Sequence, residues 1–288
     1  MNLIYSRRRD GNHLSIEDIQ RNAPAVFTTG HKDTLSSYYG EVDSKHVIEI
    51  MRDYGFGVSQ AAQKKVRKSS ELPFAEHLVA FSRPNPVGFL NDTNALRPEI
   101  IMYNSRNGLS SLKLFAGAFR MICSNGMVAG EGMDFRVRHT MKQVSDLEEA
   151  IVSAIRALPV IMDRIDNMRS KTISHETSLE FVKNAASLRW EWKKDEDLYQ
   201  PIDNGTYATD LTVDQLMHNP FRFEDTKNDL WTVFNRTQEK LIRGRVDVIS
   251  VTDKNRYGKV RSSSAVRSIA ENVRINRQLW DLAQEVVA

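Results

Sequence analysis

The spacing of hydrophobic positions changes partway along the chain. Up to about residue 140, short apolar runs and two-residue alternation predominate, which is typical of strands. Residues 76–82 (EHLVAFS) and 98–105 (PEIIMYNS) predict two strands, and residues 57–63 (GVSQAAQ) predict a third that leads into a basic turn. From Ser145 onward, apolar residues recur at three- and four-residue intervals, which predicts amphipathic helices.

Two further helices are predicted in the first half. Asp43 is placed to cap a helix that Gly55 ends. Ser110 and Ser111 precede a second predicted helix, residues 112–124 (LKLFAGAFRMICS), whose apolar positions share one helical face: Leu112, Phe115, Phe119 and Ile122. After it, the alternation of Phe135 and Val137 with Arg136 and Arg138 predicts a half-buried strand with a charged face.

The second half is predicted to be mostly helical. The helices span residues 144–170, with a kink at Pro159, then 174–194, 228–244 and 262–287. Between them, the acidic residues 195–228 predict a loop region with little regular structure, and residues 244–262 predict an exposed basic loop or hairpin. We therefore predict an α+β fold: a small antiparallel sheet backed by helices, with a mostly helical C-terminal half. Its parts are an N-terminal arm (1–42), an α+β core with a basic surface (43–144) and a helical extension (145–288).

Composition narrows the cellular setting. The chain has 288 residues, of which 41% are hydrophobic and 27% charged, and we find no apolar run long enough to span a membrane. The N-terminus lacks the features of a secretory signal. Cys123 is the single cysteine, so no internal disulfide can form, which fits a reducing compartment. We expect a cytoplasmic protein with no membrane partner.

The distribution of charge is more informative than the net charge of +3. Residues 1–140 carry 18 Lys/Arg against 14 Asp/Glu, residues 142–242 carry 13 against 18, and residues 243–277 carry 9 against 3. A basic, acidic, basic order can create a positive surface for a polyanion while the acidic segment faces solvent or a neighbouring subunit. Ordinary scatter of surface charge explains the same totals equally well.

Motifs for common enzymatic chemistry are absent. The chain has no GxxxxGK[ST], HExxH or CxxC sequence. Cys123 with His139 as base is a conceivable nucleophilic pair, but cysteine is most often buried and inert. The acidic pair Glu148 and Glu149 and the run at 195–197 could bind a divalent ion, although such carboxylates more often complement a helix dipole or stay solvated. We therefore expect a binding protein with no cofactor or metal, and a metal-dependent nuclease is a minor alternative.

The remaining candidate residues are cations. If the elements that carry them adjoin, their side chains form a trough that binds the phosphates of a single strand. The candidate DNA-binding residues are Lys64, Lys65, Arg67, Lys68, Arg106, Arg120, Arg136 and Arg138. Tyr103, Phe56 or Tyr54 could stack on bases, although each is more often a core residue. The basic residues between Arg243 and Arg267 could provide a second contact or a subunit contact.

Several segments resemble a known family. The turn NSRNG at 104–108, GAFRMICSNGM at 117–127, RVRH at 136–139 and the closing SIAENVRINRQLWDLAQE at 268–285 resemble the phage- and plasmid-borne proteins of domain-of-unknown-function 932. The likeness covers most of residues 40–288. It implies a mobile-element protein in a bacterial cytoplasm and no established activity. The predicted strand–strand–strand–helix order is also similar to the core of phage single-strand annealing proteins of the Redβ and RecT type, although only in topology.

The leading hypothesis is a phage or plasmid protein that binds single-stranded DNA and promotes annealing in recombination or replication without ATP. Under this hypothesis, single-stranded nucleic acid is the partner and the protein forms a homo-oligomer, a ring or a filament. The alternative is a protein-interaction factor that inhibits a host defence or nuclease complex, with a host protein as its partner.

Overall fold

The computed structural model describes residues 3–7, 12–30, 32, 35, 38–84, 96–108, 110–120, 129–139, 143–194, 203–218 and 220–288. These residues form two compact units, 1–162 and 163–288. Both contain helices and a sheet, so the predicted α+β class is confirmed. Cys123 and the acidic run at 195–197 lie outside the described residues.

Unit 1 is built on a six-stranded antiparallel sheet whose strands follow one another in chain order. The strands are β1 Leu3–Arg7, β2 Gly57–Lys64, β3 His77–Ser82, β4 Leu96–Asn104, β5 Leu112–Arg120 and β6 Ala129–Val137. Strand β3 is buried at every residue and β4 at nearly every residue. Because both faces of these central strands are covered, their sequences are near-continuous apolar runs rather than a clean alternation.

Helices and short 3₁₀ turns accompany the sheet. They are α1 Ile16–Asn22, a 3₁₀ turn at Pro24–Phe27, α2 Ser44–Asp53, a 3₁₀ turn at Ser69–Phe74, and α3 Gln143–Ser170, which contains the boundary between the units. The Asp43 side chain accepts a hydrogen bond from the Lys45 amide and caps α2 as predicted. Leu96 and Pro98 of β4 and Ile155 and Leu158 of α3 line one cavity of about 470 Å³.

Two predictions for unit 1 need correction. Residues 112–120, predicted as the start of a helix, form β5, and residues 121–124 lie outside the described part. Leu112, Leu114 and Ala116 alternate with Lys113 and Phe115, but the apolar Phe115 on the second face produces a pattern that also fits a helix. Residues 1–42, predicted as an arm, supply the edge strand β1, and Ile19 of α1 and Val26 are fully buried.

Unit 2 combines helices with a four-stranded sheet in the order β10-β9-β8-β7. Its elements after α3 are α4 His175–Ser187, β7 Glu191–Trp192, β8 Gly205–Ala208, α5 Asp210–Met217, a 3₁₀ turn at Phe223–Asp225, α6 Leu230–Arg243, β9 Asp247–Thr252, β10 Asn255–Ser262 and α7 Ile269–Val287. Strands β9 and β10 form the predicted basic hairpin. Residues 195–228 are more regular than predicted, because they contain β8 and α5. Val213 and Leu216 of α5 are buried.

Candidate nucleic-acid interface

The register of the unit 1 sheet brings cationic side chains from separate strands together. Arg136 of β6 lies opposite Lys113 of β5, Lys113 lies opposite Tyr103 of β4, and Tyr103 lies opposite Leu78 of β3. Directly opposite residues of an antiparallel pair share one face of the sheet. Ala62 of β2 completes this row opposite Leu78. Five strands therefore contribute to one continuous row, in which Ala62, Leu78 and Tyr103 are buried and Arg136 is exposed.

Lys64 lies two residues beyond Ala62, so it shares the face of this row at the same end of the sheet. Arg138 follows the last residue of β6 at that end and is exposed, as is Arg136. Four strand spacings separate β2 from β6, roughly 19 Å at about 4.8 Å per strand. A single strand that follows this end of the sheet from β2 to β6 would cover several nucleotides. It would pass the buried positions of β3 and β4, which lie between the exposed cations.

The connection after β2 adds the most accessible cations. Lys65, Arg67 and Lys68 are exposed, and none forms an ion pair with a carboxylate in the part of the chain that the structure describes. We call the combined set the basic corner. It consists of Lys64, Lys65, Arg67, Lys68, Lys113, Arg136 and Arg138.

Contacts along the row hold part of the basic corner in place. Lys64 Nζ lies 2.7 Å from Glu76 Oε1. Burial, followed by the negative charge and hydrogen bond of Glu76, raises the pKa of Tyr103 above its ordinary value, so the phenol stays neutral. Lys113 Nζ lies 5.7 Å from the centroid of the Tyr103 ring, within the range of a cation–π contact. Tyr103, which is only 6% exposed, thus helps to position the Lys113 ammonium group.

Arg106 lies at the same end of the sheet but has no access to solvent. Its Nε is 2.6 Å from Glu41 Oε1, its Nη2 is 3.5 Å from Asp43 Oδ1, and its Nη1 donates a hydrogen bond to Thr28 Oγ1 at 2.7 Å. The prediction that Arg106 binds phosphate at the surface is therefore wrong. Two carboxylates from the segment before α2 neutralise the guanidinium inside the unit.

Two histidines belong to this buried network. The His77 ring Nε2 is 2.8 Å from Ser44 Oγ, and the Asn104 side chain donates a hydrogen bond to the same hydroxyl oxygen at 2.9 Å. Burial, aided by the charge of Arg106, lowers the pKa of His77 to about 4. His77 is therefore neutral near pH 7 and fastens α2 to β3 and β4.

His139 has a similar structural role. Its ring stacks on Tyr39 with centroids 4.9 Å apart, and its Nδ1 accepts a hydrogen bond from the Val42 amide at 3.2 Å. Burial, followed by the charge of Arg106, lowers the pKa of His139 to about 4. These contacts join the end of β6 to the segment that carries Glu41, and they give His139 a role in packing.

The other sequence candidates lie elsewhere. Arg120 ends β5 opposite Leu96, at the end of the sheet remote from the basic corner, and its side chain is outside the described part. Of the aromatic residues suggested for stacking, Phe56 is buried, whereas Tyr54 is 37% exposed at the end of α2. The basic cluster from Arg243 to Arg267 belongs to unit 2, where the hairpin exposes Lys254, Arg256, Lys259 and Arg261.

Lys113 is not among the residues predicted from the sequence, because the segment that contains it is predicted to be a helix. The two-residue alternation of Leu112, Lys113 and Leu114 was the signal that could have assigned it to the strand face beside Arg136. Within the described residues, no group of three His, Cys, Asp or Glu side chains is placed to hold a metal ion. The helices described include none with the length and apolar character needed to cross a membrane.

Comparison with known proteins identifies relatives over almost the whole chain. UPF0380 protein YafZ of Escherichia coli (strain K12) is 29% identical over 281 residues, which are 97% of this chain and 93% of the relative. UPF0380 protein YfjQ of the same organism has the same identity and coverage. No solved structure matches the chain significantly. Residues 112–120, which the predicted strand–strand–strand–helix order places in a helix, form β5, so the resemblance to annealing proteins is not confirmed. The model of the domain of unknown function DUF932 matches residues 32–280, and the chain therefore belongs to this family.

Proposed function

We propose that the protein binds single-stranded DNA at the basic corner and promotes annealing of complementary strands without ATP, in phage or plasmid recombination or replication in a bacterial cytoplasm. One observation carries this proposal. Cations from β2, the loop after it, β5 and β6 lie at one end of one sheet, and several of them are exposed. Phosphate contacts of Lys and Arg supply most of the affinity in non-specific binding of single strands.

Annealing follows from charge neutralisation. Lysine and arginine side chains that cover the backbone phosphates lower the repulsion between two complementary strands. The basic corner offers cations rather than aromatic rings for stacking, since Phe56 and Tyr103 are buried. The bases of a bound strand then remain accessible to a complement. Assembly into a ring or filament would join many short corners into one long path, since each spans only a few nucleotides.

The first experiment measures binding of a fluorescent oligothymidine by anisotropy over a series of salt concentrations. The affinity should fall steeply as salt rises, because counterions compete for the phosphates. The double variant Arg136→Ala plus Arg138→Ala should bind more weakly with a shallower salt slope. Unchanged binding by this variant would show that the corner is not the interface. Failure of the wild-type protein to bind any nucleic acid would instead favour a protein-interaction factor that acts on a host protein.

Annealing and assembly need separate readouts. Two complementary strands that carry a donor and an acceptor dye should pair faster with the protein than without it, in the absence of ATP. Mass photometry with and without an oligonucleotide should detect a discrete large ring or a growing filament. A particle that remains a monomer on saturated DNA would contradict the assembly part of the proposal while leaving binding intact.

A further inference from the structure

A polar cavity of about 260 Å³ lies within unit 2, where the first turn of α4, the end of α5 and the middle of α6 meet. A backbone hydrogen bond joins two of its lining residues, because the Ile173 amide donates to the Asn228 carbonyl at 3.1 Å. The described residues that line it include no carboxylate: Ile173, His175, Ser178, Met217, His218, Pro220, Thr226, Asn228 and Arg236.

Arg236 is the buried cation of this cavity. Its side chain is 7% exposed, and its Nη1 donates to the Lys227 carbonyl at 3.3 Å. Its Nε is buried and has no hydrogen-bond partner among the described residues. A buried N–H group without an acceptor is rare in folded proteins, because the lost hydration is not replaced. The guanidinium therefore has a donor ready for a ligand that brings an acceptor.

The carboxylates near Arg236, those of Asp225 and Asp229, do not accept a hydrogen bond from its Nε. Asp225 and Asp229 act on the guanidinium through space, and burial lowers the pKa of Arg236 against their effect. The Asp229 carboxylate is already used as the cap of α6, where it accepts from the Thr232 amide at 2.9 Å and the Thr232 hydroxyl at 2.7 Å. Neither carboxylate lines the cavity.

Two histidines stand at the accessible side of the cavity. His175 and His218 are exposed, and their rings are nearly parallel with centroids 6.4 Å apart. His218 Nε2 lies 3.7 Å from Asp214 Oδ1. His175 is the first residue of α4, whose amino-terminal end carries a partial positive charge.

The remaining polar groups can complete the coordination of an anion. The Ser178 hydroxyl lies in the first turn of α4 and donates to the Ser174 carbonyl at 2.8 Å. The Thr226 hydroxyl donates to the Phe223 carbonyl at 2.9 Å. Rotation of either hydroxyl would redirect its proton toward a ligand. The cavity thus combines a buried arginine, two histidines, two hydroxyls and a helix terminus.

We propose that this cavity binds a phosphate group, either as inorganic phosphate or as the phosphate of a small monoester. A planar guanidinium suits the oxygens of phosphate, the helix end complements its charge, and each imidazole ring can donate a hydrogen bond. The volume exceeds that of one phosphate ion, so an attached group of a few heavy atoms also fits. The site is independent of the basic corner, because all its residues belong to unit 2.

Calorimetric titration with inorganic phosphate and, separately, with ribose 5-phosphate tests the proposal. At least one should bind at millimolar concentrations or below, and tighter binding of one identifies the source of the phosphate. The double variant His175→Ala plus His218→Ala should bind about tenfold more weakly, because it removes the hydrogen bonds that the two rings donate to the phosphate. These positions are exposed, so the ligand-free melting temperature should stay unchanged.

Two further variants sharpen the result. His46→Ala removes an exposed histidine from α2 in unit 1 and should leave phosphate binding unchanged. Arg236→Lys keeps the charge but removes the planar donor pair, and it should weaken binding more than the loss of either histidine alone. The proposal is overturned if neither ligand binds the wild-type protein, or if the histidine double variant binds as tightly as the wild type.

Discussion

Arg106 and Arg138 lie at the same end of one sheet, yet they have opposite environments. Arg106 is fully buried against Glu41 and Asp43, whereas Arg138 is exposed at the end of β6. The difference comes from the loop before α2, whose carboxylates fold over the end of β4 and do not pair with Lys65, Arg67 or Lys68 in the described structure. Arg106 thus contributes to stability, whereas Arg138, in our proposal, contributes to DNA binding.

The largest expected effect is on folding. Arg106→Met leaves the Glu41 and Asp43 carboxylates without their buried partner, so the free energy of unfolding should fall by about 3–5 kcal/mol. Urea denaturation measures this change. Arg138→Met, the matched exposed substitution, should change stability by less than about 0.5 kcal/mol. Similar losses of unfolding free energy in the two variants would show that Arg106 contributes no more to stability than Arg138 does.

A fall in pH should destabilise the buried network that contains His77. The folded-state pKa of His77, about 4, lies below the ordinary value of 6.5, so the unfolded chain binds more protons between these values. Stability is therefore retained above pH 6.5 and lost as pH falls toward 4. His77 should contribute a loss of about 2 kcal/mol between pH 7 and pH 5. Denaturation of His77→Asn at both pH values should show a smaller loss, and an equal loss would assign the pH effect to other groups.

The exposed cations of the basic corner should control the affinity for DNA. Replacement of Lys65, Arg67 and Lys68 by alanine should weaken binding of an oligothymidine roughly tenfold and reduce the salt slope by about 2, with no change in stability. The control removes the same charge from the unit 2 hairpin at Lys254, Arg256 and Lys259. Anisotropy titrations should show nearly wild-type binding for that control. An equal loss in both variants would mean that net charge, and not the basic corner, sets the affinity.

The smallest expected effect concerns Glu76, the carboxylate that pairs with Lys64. Glu76→Gln removes one negative charge from the basic corner and releases the Lys64 ammonium, so DNA should bind about twofold more tightly at low salt. Glu71→Gln, which breaks the Lys32 pair outside the corner, is the matched control. Weaker DNA binding by the Glu76 variant than by the wild type would contradict the proposed role of Glu76 at the basic corner.

Local patterns in the sequence were sufficient for several elements. Asp43 and Gly55 mark the limits of α2, and the alternation in β2 to β4 predicts strands. The strand β5 was missed because both of its faces carry apolar residues, a pattern that strands and helices share. Edge strand β1 was missed because its pairing with β2 depends on residues nearly 60 positions away.

The candidate site was predictable only in part. The alternation of Arg136 and Arg138 placed them on an exposed strand face, and the basic run at 64–68 was recognised as a turn. The burial of Arg106 could not be foreseen, because Glu41 and Asp43 precede it by more than 60 residues and no local pattern links them. Residue type alone does not distinguish a buried arginine from an exposed one.

Photo-crosslinking of an oligonucleotide that contains 4-thiothymidine, followed by peptide mass spectrometry, shows whether single-stranded DNA binds at the basic corner. We expect crosslinks in the peptides that contain residues 64–68 and 135–139, and none in the Arg106 peptide beyond the background of an unrelated buried segment. Crosslinks confined to the unit 2 hairpin at 254–261, or spread evenly over the chain, would contradict binding at the basic corner.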